Sequence, residues 1–91
     1  MPKEIKAIIR GRVQLVMYRD FAQRKAKSLG IAGIAQNLPN GSVRIIAQGE
    51  ERNLKKFIGE LRKGHVLARV DDVDVIWRDA TQKFESFNIV N

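Results

Sequence analysis

The stretch IAGIAQNLPNGSVRIIAQ, residues 31–48, holds two short apolar runs parted by Pro39-Asn40-Gly41. Each run reads as a strand, residues 31–38 and 42–48. Asn-Gly supplies the positive φ angles that tight hairpin turns demand. A β-hairpin at mid-chain is therefore expected, and the rest of the fold is built around it.

On the N-terminal side, Tyr18, Phe21, Ala22, Ala26 and Leu29 fall on one helical stripe. Arg24, Lys25 and Lys27 lie mostly off it, and Gly30 stands where a helix C-terminal glycine belongs. Residues 5–13 (IKAIIRGRV) are short and rich in β-branched residues, so they read as a strand. Gly11 in that strand marks a bulge or the approach to a loop. Residues 14–17 (QLVM) connect strand to helix.

On the C-terminal side, Leu54, Phe57, Ile58 and Leu61 repeat at helical spacing within residues 50–63. Glu50 and Glu51 open that helix and Arg62 and Lys63 close it, which suits its dipole. Gly64 ends it. Residues 69–78 (RVDDVDVIWR) alternate Val70, Val73, Val75 and Trp77 with polar residues, with one irregular step near Asp71-Asp72. Residues 84–90 (FESFNIV) read as a final strand.

The order is β-α-β-β-α-β plus a short C-terminal strand. An antiparallel sheet with both helices on one face is the natural packing for so small a chain, and the β-α-β half requires a right-handed crossover. This is the ferredoxin-like α/β (α+β) sandwich. A chain of 91 residues suits a single domain, residues 1–91, with a modest core. The fold alone names no activity, because it hosts many.

Composition narrows the function classes. The net charge of +7 points to an anionic partner, whether nucleic acid, acidic membrane or phosphorylated metabolite. Basic residues interleave with acids, as in Arg52, Lys55, Lys56 and Glu60, so most read as a solvated surface. The chain has no cysteine, which removes disulfides and thiolate metal sites. Its only histidine, His65, has no partner for a metal cluster. The segment MPKEIKAIIRGRV reads as a strand and not a signal peptide. No run approaches the ~20 apolar residues of a membrane helix, so a cytoplasmic protein without membrane association is the expectation.

The chemistry concentrates in GRVQLVMYRDF, residues 11–21. A strand ends, a short loop follows, and a helix begins with Arg19 in or near its first turn. The first N–H groups of a helix lack internal acceptors and form an anion site. A loop whose N–H groups converge on the same point deepens it. Arg19 adds a permanent planar cation that grips two phosphate oxygens at once. Asn37 closes the second strand, and its amide both donates and accepts, which suits holding a water. On pattern alone, a solvated Arg19 and a turn-stabilising Asn37 are the readings that local sequence favours.

Together these segments resemble the acylphosphatase family from about Ile8 to Val90. GRVQLVMYR, residues 11–19, is close to the family's G-R-V-Q-G-V-x-F-R. GIAQNLPNGSVRIIAQG, residues 33–49, follows its N-L, turn, G-S-V and closing Q-G pattern. ARVDDVDV, residues 68–75, and FNIV, residues 87–90, match two further motifs in the right order. The resemblance implies hydrolysis of the carboxyl-phosphate bond of small acyl phosphates to a carboxylate and inorganic phosphate. It implies that backbone N–H groups of Gln14, Leu15, Val16, Met17 and Tyr18 cradle the phosphoryl group. Arg19 would bind its oxygens and Asn37 would position the attacking water. It also implies that no metal or cofactor is needed and that no phosphoenzyme forms, and nothing in the sequence demands more than a monomer.

The departures from the family pattern carry expectations of their own. Leu15 stands where the family has glycine. If that position needs a positive φ, leucine adds strain of ~1–2 kcal/mol, and its side chain threatens to crowd the phosphate. Turnover slower than that of typical relatives is expected. Met17 stands at a variable position, Ile34 replaces an aromatic, and Gln36 replaces a basic residue beside Asn37. His65 stands where the family carries a proline and reads as a loop residue, not a catalyst. Two alternatives remain to be weighed. One is a weakened relative that binds an anion without hydrolysing it. The other is an RNA-binding domain of the same element order, which the absence of any aromatic from IKAIIRGRV and SVRIIAQ argues against.

Overall fold

The computed structural model describes residues 2–80 and 82–90. Seven elements follow in order: β1 (Lys3–Arg12), α1 (Tyr18–Ser28), β2 (Ala32–Asn37), β3 (Val43–Gly49), α2 (Glu51–Lys63), β4 (Arg69–Asp79) and β5 (Phe87–Val90). The strands form one sheet in the order β4-β1-β3-β2-β5. The expected ferredoxin-like order is present. The sheet is mixed and not wholly antiparallel, because β5 runs parallel to β2. Parallel pairing needs a long return path between the strands. Here β3, α2 and β4 all intervene in the chain before β5 arrives.

Alternation decides the two faces of the sheet. Ile5, Ala7 and Ile9 on β1 pair with Ala47, Ile45 and Val43 on β3, and every one is fully buried. Tyr18, Phe21, Ala22 and Ala26 from α1, with Leu54, Phe57 and Leu61 from α2, complete the same core. Both helical stripes read from the sequence therefore face the sheet, though Leu29 and Ile58 are only half-buried. Phe87 of β5 meets Phe57 edge-on at 5.9 Å, which anchors the last strand beneath α2.

Gly11 and the irregular step at Asp71-Asp72 are one feature. Arg10 pairs with Asp72, but Gly11 pairs with Val70, so β4 carries an extra residue at that bulge. A Cβ on Gly11 would lie 2.1 Å from the Arg69 carbonyl oxygen. The hairpin turn departs from expectation. Gly41 takes φ 90°, but Asn40 does not adopt a positive φ. Its Oδ1 instead accepts from the Ser42 N–H at 3.1 Å and from Ser42 Oγ at 2.5 Å. The connection is a five-residue loop, 38–42, closed by Leu38 N–H donating to Ser42 O at 2.9 Å. The final strand is also shorter than residues 84–90. The segment before it is held at separate points: Phe84 N–H donates to Gln48 Oε1 at 3.1 Å, and Gly33 N–H donates to Ser86 O at 3.0 Å.

Candidate active site

β1 ends at Arg12 and α1 begins at Tyr18, so five residues make the turn between sheet and helix. Two of them are left-handed without being glycine: Leu15 at φ 60° and Met17 at φ 61°, ψ 26°. Alternation of left-handed and ordinary residues turns successive peptide N–H groups toward one side, the geometry of an anion nest. Met17 is also the residue before α1, and no side chain caps that helix end. Among the described residues, the N–H groups of Leu15, Val16, Met17 and Tyr18 donate to no other backbone group. The loop therefore presents unspent donors at the positive end of a helix dipole.

Four side-chain hydrogen bonds hold that loop in place. Gln14 Nε2 donates to Leu38 O and Ser42 O, both at 2.8 Å, tying the loop to the β2–β3 hairpin. Tyr18 OH donates to Leu61 O at 2.8 Å, tying the start of α1 to the end of α2. Burial pushes the Tyr18 phenol far above the usual tyrosine range, so it stays a neutral donor. His65 Nε2 lies 2.6 Å from Val16 O. A carbonyl can only accept, so Nε2 carries the hydrogen and donates. His65 Nδ1 in turn accepts weakly from Leu67 N–H at 3.4 Å, and its ring lies 5.4 Å from that of Phe21.

His65 is the residue whose part was missed in the sequence. A lone histidine in a loop carries no periodic signal, and its partner is a backbone carbonyl far away in the chain. The sequence could have shown only that Gly64 lets the chain turn sharply after α2. The structure adds that Gly64 takes φ 67° there.

Arg19 sits in the first turn of α1, half-buried, with Nη1 donating to Val90 O at 3.3 Å. It lines a cleft of about 350 Å³ together with Val13, Leu15, Met17, Asp20 and Ile89. Neither Asn37 nor the side chains of Gln14 and Val16 line this cleft. Asn37 ends β2 opposite Val43, on the helix-bearing face of the sheet. Its Oδ1 is buried and accepts no hydrogen bond among the described residues. Val90 O takes Arg19, and Val90 pairs with Gln36, the neighbour of Asn37. Gln14 likewise reaches Leu38, the neighbour on the other side. Arg19, the loop and Asn37 thus gather at one end of the sheet.

The expectation that Leu15 adopts a positive φ holds. Its side chain is 100% exposed and packs against nothing in the core, and it stands in the lining of the Arg19 cleft. Among the described residues no cluster of His, Cys, Asp or Glu could hold a metal ion.

Fold and site define a class: a ferredoxin-like α/β sandwich whose first loop and helix start are shaped to receive an anion. Comparison with known proteins narrows it. The family model described as acylphosphatase matches residues 5–89. An acylphosphatase of Thermus thermophilus is 48% identical over 77 residues, covering 85% of this chain and 86% of the relative. One of Dehalococcoides mccartyi is 41% identical over 86 residues, covering 93% and 94%. The crystal structure of acylphosphatase from Bacillus subtilis superposes with a TM-score of 0.94 at 31% identity, covering 98% of this chain and 99% of that one. The chain belongs to the acylphosphatase family and is a hydrolase of that family.

Proposed function

We propose that the Arg19 guanidinium and the N–H groups of the 14–18 loop hold the phosphoryl group of an acyl phosphate, while Asn37 positions the water that attacks it. The observation that carries this reading is the loop itself. Two strained left-handed residues, Leu15 and Met17, stand in a loop whose N–H groups are unspent, and both line the cleft that Arg19 lines. Non-glycine residues in that conformation persist where the surroundings impose it, and such positions concentrate at ligand sites.

Phosphoryl transfer asks mainly for positioning and for stabilisation of charge on the equatorial oxygens. A fixed guanidinium and fixed amide dipoles provide both with little reorganisation. The bond from water oxygen to phosphorus forms as the bond from phosphorus to the acyl oxygen breaks. The electron pair leaves with the carboxylate, a good leaving group that needs no strong acid. The water's protons pass to the phosphate and to solvent. Asn37 Oδ1, buried and unspent, is the acceptor that would orient that water. Arg19 already spends one N–H on Val90 O, which fixes the direction of the guanidinium and leaves its other donors for phosphate.

His65 acts here as a brace. In a trans peptide the C=O and the following N–H point in opposite directions. Drawing Val16 O toward His65 therefore turns the Met17 N–H toward the opposite side of the loop, where the phosphoryl group would sit. The enzyme works as a monomer without metal in this reading.

The test is hydrolysis of benzoyl phosphate by the purified protein with a chelator present. Turnover is expected for the native chain. Arg19→Ala should abolish both hydrolysis and competitive inhibition by inorganic phosphate. Asn37→Ala should abolish hydrolysis and keep the inhibition. Full turnover in Asn37→Ala would remove its water-positioning role.

A further inference from the structure

We propose that the cleft beside Arg19 selects acyl phosphates whose acyl group is apolar and uncharged, with Leu15 and Met17 as specificity-determining residues. This rests on the phosphoryl site proposed above and extends it to the other half of the substrate.

Leu15 is fully exposed and Met17 is 61% exposed, yet both line the cleft that holds the arginine. Their backbone positions could be occupied by glycine without strain, so a large side chain at each is unfavourable in the free protein. Neither side chain contributes to the core, where burial would stabilise it. Their apolar surface leaves water only when something lies over the cleft. A phosphoryl group held at Arg19 projects its acyl group from the same opening, so the acyl group is the occupant at hand. Val13 and Ile89 continue the apolar lining on the other side.

Charge sharpens the choice. Asp20, next to Arg19 in the first turn, lines the same cleft. Arg19 is engaged by the phosphoryl oxygens, and the Asp20 carboxylate then faces whatever the acyl group carries. A second anion on the substrate, a carboxylate or another phosphate, would meet like charge and apolar walls. An alkanoyl or aroyl chain meets neither obstacle.

The experiment measures kcat and KM for acetyl, butanoyl, hexanoyl and succinyl phosphate with the native chain, Leu15→Gly, Met17→Ser and Asp20→Asn. Inorganic phosphate inhibition is followed in each as a readout of the phosphoryl site alone. Apolar contact made equally in ground and transition state lowers KM and leaves kcat. The native chain should show KM falling roughly fivefold to tenfold from acetyl to hexanoyl, as burial of a few methylenes at an open surface allows. Leu15→Gly and Met17→Ser should flatten that series whatever their absolute rates. Succinyl phosphate should be poorer than butanoyl, its uncharged counterpart in chain length, and Asp20→Asn should narrow that gap.

A flat series in the native chain, with hydrolysis and phosphate inhibition intact, overturns the selectivity and leaves the phosphoryl site standing. Loss of hydrolysis for every substrate overturns both. Concentration-dependent self-association that Leu15→Gly abolishes, with a flat acyl series, assigns the exposed side chains to a second copy of this chain and overturns the proposal.

Discussion

Replacing Leu15 with glycine should stabilise the protein, which is unusual for a substitution inside a family motif. Leu15 holds φ 60°, where a Cβ crowds the backbone at a cost of ~1–2 kcal/mol. Glycine removes that strain. It also enlarges the freedom of the unfolded chain, which takes back ~0.5–1 kcal/mol. The leucine side chain is fully exposed, so no core burial is lost with it. The net gain is ~0.5–1 kcal/mol, about 2–8 °C in Tm for a domain of this size. Alanine supplies the control. It keeps the Cβ, and with it the strain, and it too forfeits no burial, so Leu15→Ala should leave Tm nearly unchanged. Leu15→Asn should fall between them, because asparagine tolerates this conformation better than most residues. Thermal unfolding by circular dichroism in phosphate-free buffer measures all three without ligand linkage. If alanine stabilised as much as glycine, the cost would lie in the side chain and not in φ. If glycine lowered Tm, the leucine would be making contacts that its exposure denies.

His65→Leu should lower kcat/KM about fivefold, the scale of one lost hydrogen bond of ~1 kcal/mol at a positioned group. His65→Gln, which can still donate toward Val16 O, should recover most of it, and inhibition by inorganic phosphate should move in parallel; equal losses in both variants would reduce the histidine to loop packing. Tyr18, whose pKa burial raises, should make stability fall as pH climbs above ~10, because the unfolded chain loses the phenolic proton there first. Tyr18→Phe forfeits the bond to Leu61 O but escapes that slope. The native chain's advantage in Tm at pH 8 should therefore narrow at pH 11, and a constant gap would contradict the burial argument. Gly33→Ala should cost about 3 kcal/mol or more through overpacking and backbone strain, because its Cβ would lie 1.8 Å from Ile46 O with φ at 153°. Unchanged urea unfolding would show that β2 and β3 separate freely at that point.

Element order was legible in the chain because apolar residues repeat at two distinct periods. Tyr18, Phe21, Ala22 and Ala26 could face a sheet only from a helix, and all four are buried there. Ile5, Ala7 and Ile9 alternate into the same core from a strand. The bulge was legible twice, at Gly11 and at Asp71-Asp72, although only the register revealed a single feature. The family motifs likewise singled out Arg19, Asn37 and the loop between strand and helix.

Other properties arise only when distant segments meet. The parallel direction of β5 follows from where the chain has arrived after α2 and β4, and no local pattern encodes it. Asn40 was expected to bend the hairpin through its φ. It bends it through its side chain, because the five-residue loop places Ser42 within reach of Oδ1. Leu15 could be seen as a misfit in the sequence, but its full exposure in the lining of the Arg19 cleft depends on how the whole loop is tied down. Those ties run from Gln14 to the hairpin, from Tyr18 to Leu61 of α2, and to Val16 O from His65 just past α2. Sequence determined which groups could bind an anion, since that is a matter of residue type and spacing along one short segment. Tertiary structure decided which way their donors and side chains point, since a peptide plane takes its orientation from partners that the chain brings near only on folding.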